Sequence, residues 1–436
     1  MKNVPILRDL RPLALKGVTH EEFLQANQAS ALVPGTATRS TSAEASIARV
    51  TPYLKDFGIT RVANVTHLDR VGVPVHTALK PMGTTLSNGS GKGLNHAASK
   101  IGAIMEAIEQ SYWETVELDL TTASQKNLEK QGQRVACGNN LPTVKNSLWH
   151  EGLSVDWACG QDLVTGEEVF IPAELIRAGT SASQSFSTFV TSSNGLASGN
   201  NVFEAILSGL TELIERDAVT MNKVEGRGQT FDSAIDLDQI SALYGEPFVS
   251  LREQIERADL RLHVVDTTHE LAIPTYKAYV HDLAITTVGS FAGYGTSLNP
   301  SVALCRAVTE AMQSRGLVIA GSRDDQFISG RDASMMYTSH HEAPAIGTMA
   351  LINRPNLGKA TIMAEILEIV DRLYSAGMKE ILVFRYTNPG DPAQVVRVVV
   401  PGLEGYFFDL YSAGPRARAA MKRGSSTNSG VLKAYA

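Results

Sequence analysis

Five glutamates at helical spacing are the first residues in this chain of 436 with the makings of chemistry. Glu106 and Glu109 stand three apart in IGAIMEAIEQ, and Glu204, Glu212 and Glu215 stand in NVFEAILSGLTELIERDA. At about 100° per residue, a helix from Val202 to Val219 gathers Val202, Phe203, Ile206, Leu210, Leu213 and Ile214 within an arc of roughly 120°. Its three glutamates fall opposite, within about 80°. A helix from Ser99 to Glu114 likewise sets Ile101, Ile104, Met105, Ile108 and Tyr112 against Glu106 and Glu109, about 60° apart. Such stripes read either as solvated faces, because glutamate favours both helix and water, or as a ligand set. Both are short of lysine and arginine partners four residues on, so like charges at 106/109 and 212/215 repel without local relief. Magnesium takes one or two carboxylates together with phosphate oxygens, so four glutamates from two facing helices can hold two or three ions over a triphosphate.

Each helix follows a glycine-rich segment, SNGSGKG and SSNGLASGNN, read as a loop whose backbone can approach a phosphate. NGSGKGLN is not a P-loop: the first glycine of that pattern falls on Leu86, and Gly93 stands where Ser or Thr belongs. Lys92 and its neighbouring amides face a phosphate at a helix start on one reading and form an ordinary surface turn on the other. A third helix, Ser301 to Arg315, follows FAGYGTSLNP and carries Arg306, Glu310, Gln313 and Arg315 at polar positions. Strand, glycine-rich segment and polar-striped helix thus occur three times. A metal hydrolase is disfavoured, since His96, His263 and His269 show no ligand spacing and adjacent His340 and His341 do not face one ion from a helix.

The stripes need a large folded body behind them. A composition of 43% hydrophobic and 19% charged residues is that of a globular chain. The net charge of -6 argues against a nucleic-acid partner. No stretch reaches the roughly 18 apolar residues of a membrane span and no signal-peptide core opens the chain, so no membrane partner and a cytoplasmic location are expected. Cys137, Cys159 and Cys305 are too scattered for a disulfide framework or a thiolate zinc site and read as small core residues. Strand-like IPTYKAYVHD, ITTVGSFAGYG and AQVVRVVV among amphipathic helices predict an α+β fold. Residues 1–37 are expected to form an N-terminal extension with one helix in HEEFLQANQA, 38–420 one large domain, and 421–436 a tail. QKNLEKQGQRV and EGRGQTFDS read as surface loops.

At these residues the chain resembles the YcaO family. SGKGLNHAASKIGAIMEAIEQ, SNGLASGNNVFEAILSGLTELIERDA and GYGTSLNPSVALCRAVTEAMQSR resemble its three signatures, and RVANVTHLDRVGVPV has the look of a fourth family segment. The resemblance covers roughly residues 39 to 415. It implies a YcaO-type fold of pseudo-repeated α/β units with an ATP and Mg2+ site between them. Carried over by position, Glu106, Glu109, Glu204, Glu212 and Glu215 match metal-binding glutamates. Asn200 and Arg216 match nucleotide or phosphate contacts, Arg306 an ATP-binding arginine, and Arg39 with Ser46 an N-terminal basic and hydroxyl pair that reaches the phosphates. The chain departs from the first signature at Gly102, where a serine is usual, and at Gln110, where an arginine is common.

The resemblance also implies a chemistry: ATP-dependent phosphorylation of a backbone amide oxygen in a peptide or protein, followed by addition of a nucleophile. A side-chain Cys, Ser or Thr gives an azoline, sulfide a thioamide, an amine an amidine. The tail NSGVLKAYA lacks the Pro-x-Pro-x-Pro ending of many azoline-forming members, though the Ala436 carboxylate could serve as a base. VVRVVVPGLEGYFF and GPR look like segments of members that work with a TfuA-type partner in thioamide formation. A thioamide-forming enzyme with a TfuA-like partner, itself a homodimer, is the expectation. An azoline-forming cyclodehydratase and a non-catalytic scaffold, motivated by Gly102 and Gln110, are its rivals.

Overall fold

In the computed structural model, residues 13, 15–28, 38–179, 187–226, 234–284, 290–322, 349–405 and 411–424 are described. NSGVLKAYA with Ala436, His340 and His341, residues 406–410 of the aromatic run and residues 227–233 of the second expected loop lie outside them.

Two three-stranded antiparallel sheets flank a larger one. β1 (Arg61–Asn64), β2 (Val75–Leu79) and β3 (Asn88–Lys92) form the first, and β9 (Leu260–Asp266), β10 (Thr275–Asp282) and β11 (Ser290–Thr296) the second. The third has the order β4 (Thr121–Ser124), β6 (Ser154–Asp162), β12 (Leu382–Arg385), β13 (Gln394–Val399), β8 (Leu196–Gly199), with β7 (Glu168–Pro172) paired to β6. A short pair, β5 (Thr143–Val144) with β14 (Tyr411–Ser412), stands apart. The helices in chain order are α1 (His20–Asn27), α2 (Ala43–Val50), α3 (His96–Thr115), α4 (Gln125–Lys130), α5 (Ala173–Ile176), α6 (Val202–Val224), α7 (Leu237–Tyr244), α8 (Phe248–Arg257), α9 (Pro300–Ala320), α10 (Ile362–Ser375) and α11 (Pro415–Gly424). The fold is α+β, and its repeated unit is a strand that runs directly into a long helix: β3 into α3, β8 into α6, β11 into α9.

Each of the three helices opens on an asparagine. The side chains of Asn95, Asn201 and Asn299 accept from the N–H groups of Ala98, Glu204 and Ser301, satisfying donors that a helix start leaves open. The glycines before them are not phosphate-cradling loops. They lie on or at the ends of the strands, and they let each helix close onto its own sheet: a Cβ at Gly91 would stand 1.9 Å from the Ser99 carbonyl oxygen, and one at Gly295 2.1 Å from that of Ala303. Gly102 belongs to the same contact, because a Cβ there would meet the Gly91 Cα at 3.4 Å.

Most of the apolar arcs bury, Ile101, Met105, Tyr112 and Leu213 only partly, and on α6 Glu204 and Glu215 of the acidic stripe are buried as well. Phe203, Ile206 and Leu210 of α6 share one core with Ile366 and Ile369 of α10 and with Val396 and Val398 of β13. Leu13, Leu15 and Ala26 of the N-terminal region pack into that same core. Ile104 and Ile108 of α3 pack with Val50, Ala78 and Val395, while Ala303, Ala307 and Ala311 of α9 lie on the second sheet. Ion pairs tie the two three-stranded sheets together: buried Arg315 of α9 reaches Asp69 at 2.9 Å and Asp282 at 3.0 Å, and exposed Arg70 reaches Asp282 at 2.8 Å. QKNLEKQGQRV is not wholly a loop, because Ser124 accepts from Asn127 N–H and starts α4 within it. Among the described residues no helix is long and apolar enough to cross a membrane.

Candidate active site

The polar stripes of α3, α6 and α9 meet where the three strand-helix units converge. Ser198 Oγ on β8 donates to Glu109 Oε1 at 2.5 Å, linking α3 to the second unit. Ser90 N–H on β3 donates to Glu106 Oε2 at 3.2 Å, and Ser90 Oγ accepts from Gln313 Nε2 of α9 at 2.8 Å. Lys92 ends strand β3 rather than lying in a surface turn, and its Nζ stands 2.6 Å from Glu310 Oε2 of α9. Arg216 Nε stands 4.0 Å from Glu212, a local cation where the sequence reading expects none. Gln110, in place of an arginine, offers Glu106 a neutral donor at 3.4 Å.

The charges in this cluster are unequal. Burial pushes the Glu109 carboxyl up to about 8, with Glu106 and Glu212 adding to the rise and the Ser198 hydrogen bond opposing it. Burial also raises Glu215, helped by Glu310 and resisted by Arg216, Arg306 and Lys92. Glu212 is raised by burial and drawn back by Arg216, Arg397 and Arg306. Glu310 feels the same burial, but Lys92, Arg216 and Arg306 outweigh it and hold that carboxyl below its ordinary value. Glu310 thus keeps its charge beside Lys92, while Glu109 and Glu215 are inclined to keep a proton.

Glu204 belongs to a second cluster at the start of α6. It accepts from Ser40 N–H at 3.0 Å, Ser40 Oγ at 2.9 Å and Asn200 Nδ2 at 3.0 Å, with Arg39 Nη1 at 3.5 Å. Asn200 Oδ1 accepts from Ser46 Oγ at 2.7 Å and from Arg49. Arg39, Ser46, Asn200 and Glu204 are therefore one group. A cleft open to solvent, of about 380 Å3 with its opening, brings Arg39 of this group together with Ser208, Thr211, Thr296 and Arg306.

Several contributors carry no assigned role in the sequence reading. Glu310 stands four residues after Arg306 on the same helix, which is the signal that marks it. Arg397 is a lone cation within the apolar strand VVRVVV, and its field acts on Glu212. Ser198, Ser40 and Arg49 carry no local signal.

Among the described residues no three acidic, histidine or cysteine side chains converge as an all-protein metal cage. Magnesium bound through one or two carboxylates, with phosphate oxygens completing its shell, needs none. The residues fit that mode: Glu109 and Glu215 are buried carboxyls whose protons a dication displaces. Arg306 Nε is buried and makes no hydrogen bond among the described residues, a donor suited to a phosphate oxygen.

A family model described as an ATP- and Mg2+-binding YcaO cyclodehydratase matches residues 90–404. The chain belongs to the YcaO family. ATP and Mg2+ are the cofactors of that family, in agreement with the charge pattern just described. A YcaO relative in Rhizobium leguminosarum bv. trifolii, an uncharacterized protein in the tfuA 3′ region, is 34% identical over 84% of this chain and 88% of its own length. An uncharacterized protein of Methanothermobacter thermautotrophicus is 30% identical over 84% of this chain and 95% of its own. Among solved structures, a heterocyclase in complex with substrate and cofactor superposes with a TM-score of 0.71 at 21% identity, over 92% of this chain and 58% of that one. This YcaO chain thus spans little more than half of that heterocyclase. YcaO from Methanopyrus kandleri bound with AMPPCP and Mg2+ gives 0.64 at 19% identity, over 86% and 94%. At those identities the likeness is one of fold.

Proposed function

We propose that this chain activates a backbone amide of a peptide or protein by ATP-dependent O-phosphorylation, with thioamide formation as the outcome. The observation that supports it is the meeting of two glutamate pairs, Glu215 buried and the other three partly buried, with Lys92, Arg216 and Arg306 at the junction of three helices. ATP with Mg2+ supplies the γ-phosphoryl group to the amide oxygen and so turns it into a phosphate leaving group. Glu106, Glu109, Glu212 and Glu215 would hold the metal ions in this reading, one or two carboxylates to each, and Arg216, Arg306 and Lys92 would neutralise the triphosphate. Glu204 and Asn200 hold Arg39 and Ser46 over the nucleotide. Glu310 keeps Lys92 placed until phosphate oxygens replace it.

Once the oxygen carries phosphate, sulfide adds at the carbon and phosphate leaves with the former amide oxygen, giving the thioamide. The relative from the tfuA 3′ region supports this outcome over an azoline, as do the VVRVVVPGLEGYFF and GPR segments. They also support a TfuA-like partner protein. The test incubates the chain with such a partner, candidate peptides, ATP and Mg2+, with and without sulfide, and follows ADP and peptide mass. Exchange of oxygen for sulfur supports the proposal, and loss of water assigns an azoline instead. A scaffold reading has one observation in its favour, the weak neutral bond from Gln110 to Glu106. It prevails if no ADP forms across a broad panel and nucleotide binding is undetectable.

A further inference from the structure

We infer that a cavity behind α6 holds the peptide substrate through an apolar side chain and a backbone carbonyl, with Arg397 as the donor to that carbonyl. The inference rests on the amide-activating reading and names where its substrate sits. The cavity, which opens to solvent and with that opening encloses about 620 Å3, is walled by Leu175, Val190, Leu213, Leu403 and Tyr411. Leu213 directly follows Glu212 on α6, so this wall adjoins the carboxylate site.

Arg397 of β13 lines the same cavity and is 1% exposed. Its Nη1 donates to the carbonyls of Ser192 at 2.9 Å and Asn194 at 2.7 Å. Its guanidinium carbon lies 5.4 Å from the Trp113 ring centroid, and the Tyr386 hydroxyl is a further partner of the guanidinium. The side chain is thereby fixed, yet its Nε and Nη2 find no well-aligned acceptor among the described residues. Leaving donors of a buried charged group unmet is costly, and a fixed, unmet edge is what a binding site keeps for its ligand.

Two features decide the ligand's chemistry. The two acceptors that Arg397 already holds are neutral backbone carbonyls, and the edge left over calls for another acceptor of that kind. The rest of the wall is mostly aliphatic, and the one carboxylate on it, Glu404, is taken up by the N–H groups of Gly414 at 2.9 Å and Ala417 at 2.8 Å. A carboxylate ligand would add a negative charge near Glu212 and Glu404. A neutral acceptor on an apolar body meets both conditions, and a peptide carbonyl beside a leucine-like side chain is such a group.

The test titrates the full chain, by calorimetry or ligand-observed NMR, with N-acetyl-leucine N-methylamide, N-acetyl-aspartate N-methylamide and the free acid N-acetyl-leucine. Binding of a Mg2+-bound non-hydrolysable ATP analogue is measured on every variant. The leucine amide is expected to bind at millimolar concentration, about tenfold or more tighter than either anion. Arg397→Met and the cavity-filling Leu403→Trp are each expected to weaken it about tenfold or more, with nucleotide binding retained in Leu403→Trp. Absence of binding, equal binding of all three probes, tighter binding of an anion, or indifference to Leu403→Trp overturns the assignment. Loss of nucleotide binding in the wild-type chain counts against the amide-activating reading instead, and the probe series still tests the cavity.

Discussion

Lys92 Nζ of β3 lies 2.6 Å from Glu310 Oε2 of α9, and this contact joins the first and third strand-helix units across the carboxylate site. Lys92→Met removes the cation that keeps Glu310 ionised and that the proposal gives to the triphosphate. A hydrogen bond to a charged group contributes about 1.5–3 kcal/mol, so nucleotide affinity is expected to fall roughly 10- to 100-fold in calorimetric titration. Adding Glu310→Gln should restore thermal stability without restoring affinity. Unchanged affinity in Lys92→Met would remove Lys92 from the nucleotide site.

The pH response follows from Glu109. Its carboxyl titrates near 8 in the folded chain, so between the ordinary carboxyl value and about 8 the folded state holds a proton that the unfolded state has released. Stability of the metal-free protein therefore falls as pH rises through that window, by at most ~1.4 kcal/mol per pH unit from this group, and levels off above it. Glu109→Gln should flatten the dependence of melting temperature on pH. Nucleotide with Mg2+, which takes the ionised form, should bind more tightly as pH rises toward about 8. A melting temperature that climbs with pH in the wild type and not in Glu109→Gln would reverse the assigned sign.

Glu204 anchors the segment around Ser40 to α6. Glu204→Ala removes the acceptor for Ser40 and Asn200 and leaves the N–H of Ser40 to find another. Limited proteolysis should cut between residues 38 and 50 faster than in the wild type, with a loss of stability of about 1–3 kcal/mol. An unchanged digestion pattern would show the segment to be held elsewhere.

Asp217, one residue beyond Arg216, is 1% exposed and pairs with Arg416 of α11, whose Nη2 lies 3.2 Å from its Oδ2. Arg416→Met strands that buried carboxylate and is expected to cost about 3–5 kcal/mol in urea unfolding. Combining it with Asp217→Asn should recover much of the loss. If the double variant is no more stable than the single one, the pair is not what holds α11 to α6.

The helices and their acidic stripes were legible because their signals are local. The apolar arc of α6 lies within a few turns of the residues it organises. The glycine segments were misread because the reason for each glycine is a helix that packs back on the strand, and no neighbour in sequence reveals that contact. Projection also set Glu204 on one stripe with Glu212 and Glu215. Angle alone ignores the rise: eight residues span about 12 Å along the axis, which separates Glu204 at the helix start from the central cluster. Glu310 and Arg397 gain their meaning from partners far along the chain, Lys92 lying 218 residues from Glu310.

The central claim is that the glutamates of α3 and α6 bind a magnesium-bound triphosphate. Titration of a non-hydrolysable ATP analogue into the full chain, with Mg2+ and with EDTA, tests it directly alongside Glu212→Gln and Glu215→Gln proteins of intact fold. The account predicts binding that needs Mg2+ and drops at least about tenfold in each variant. Equal binding with and without Mg2+, or affinity unaltered by both substitutions, would contradict it.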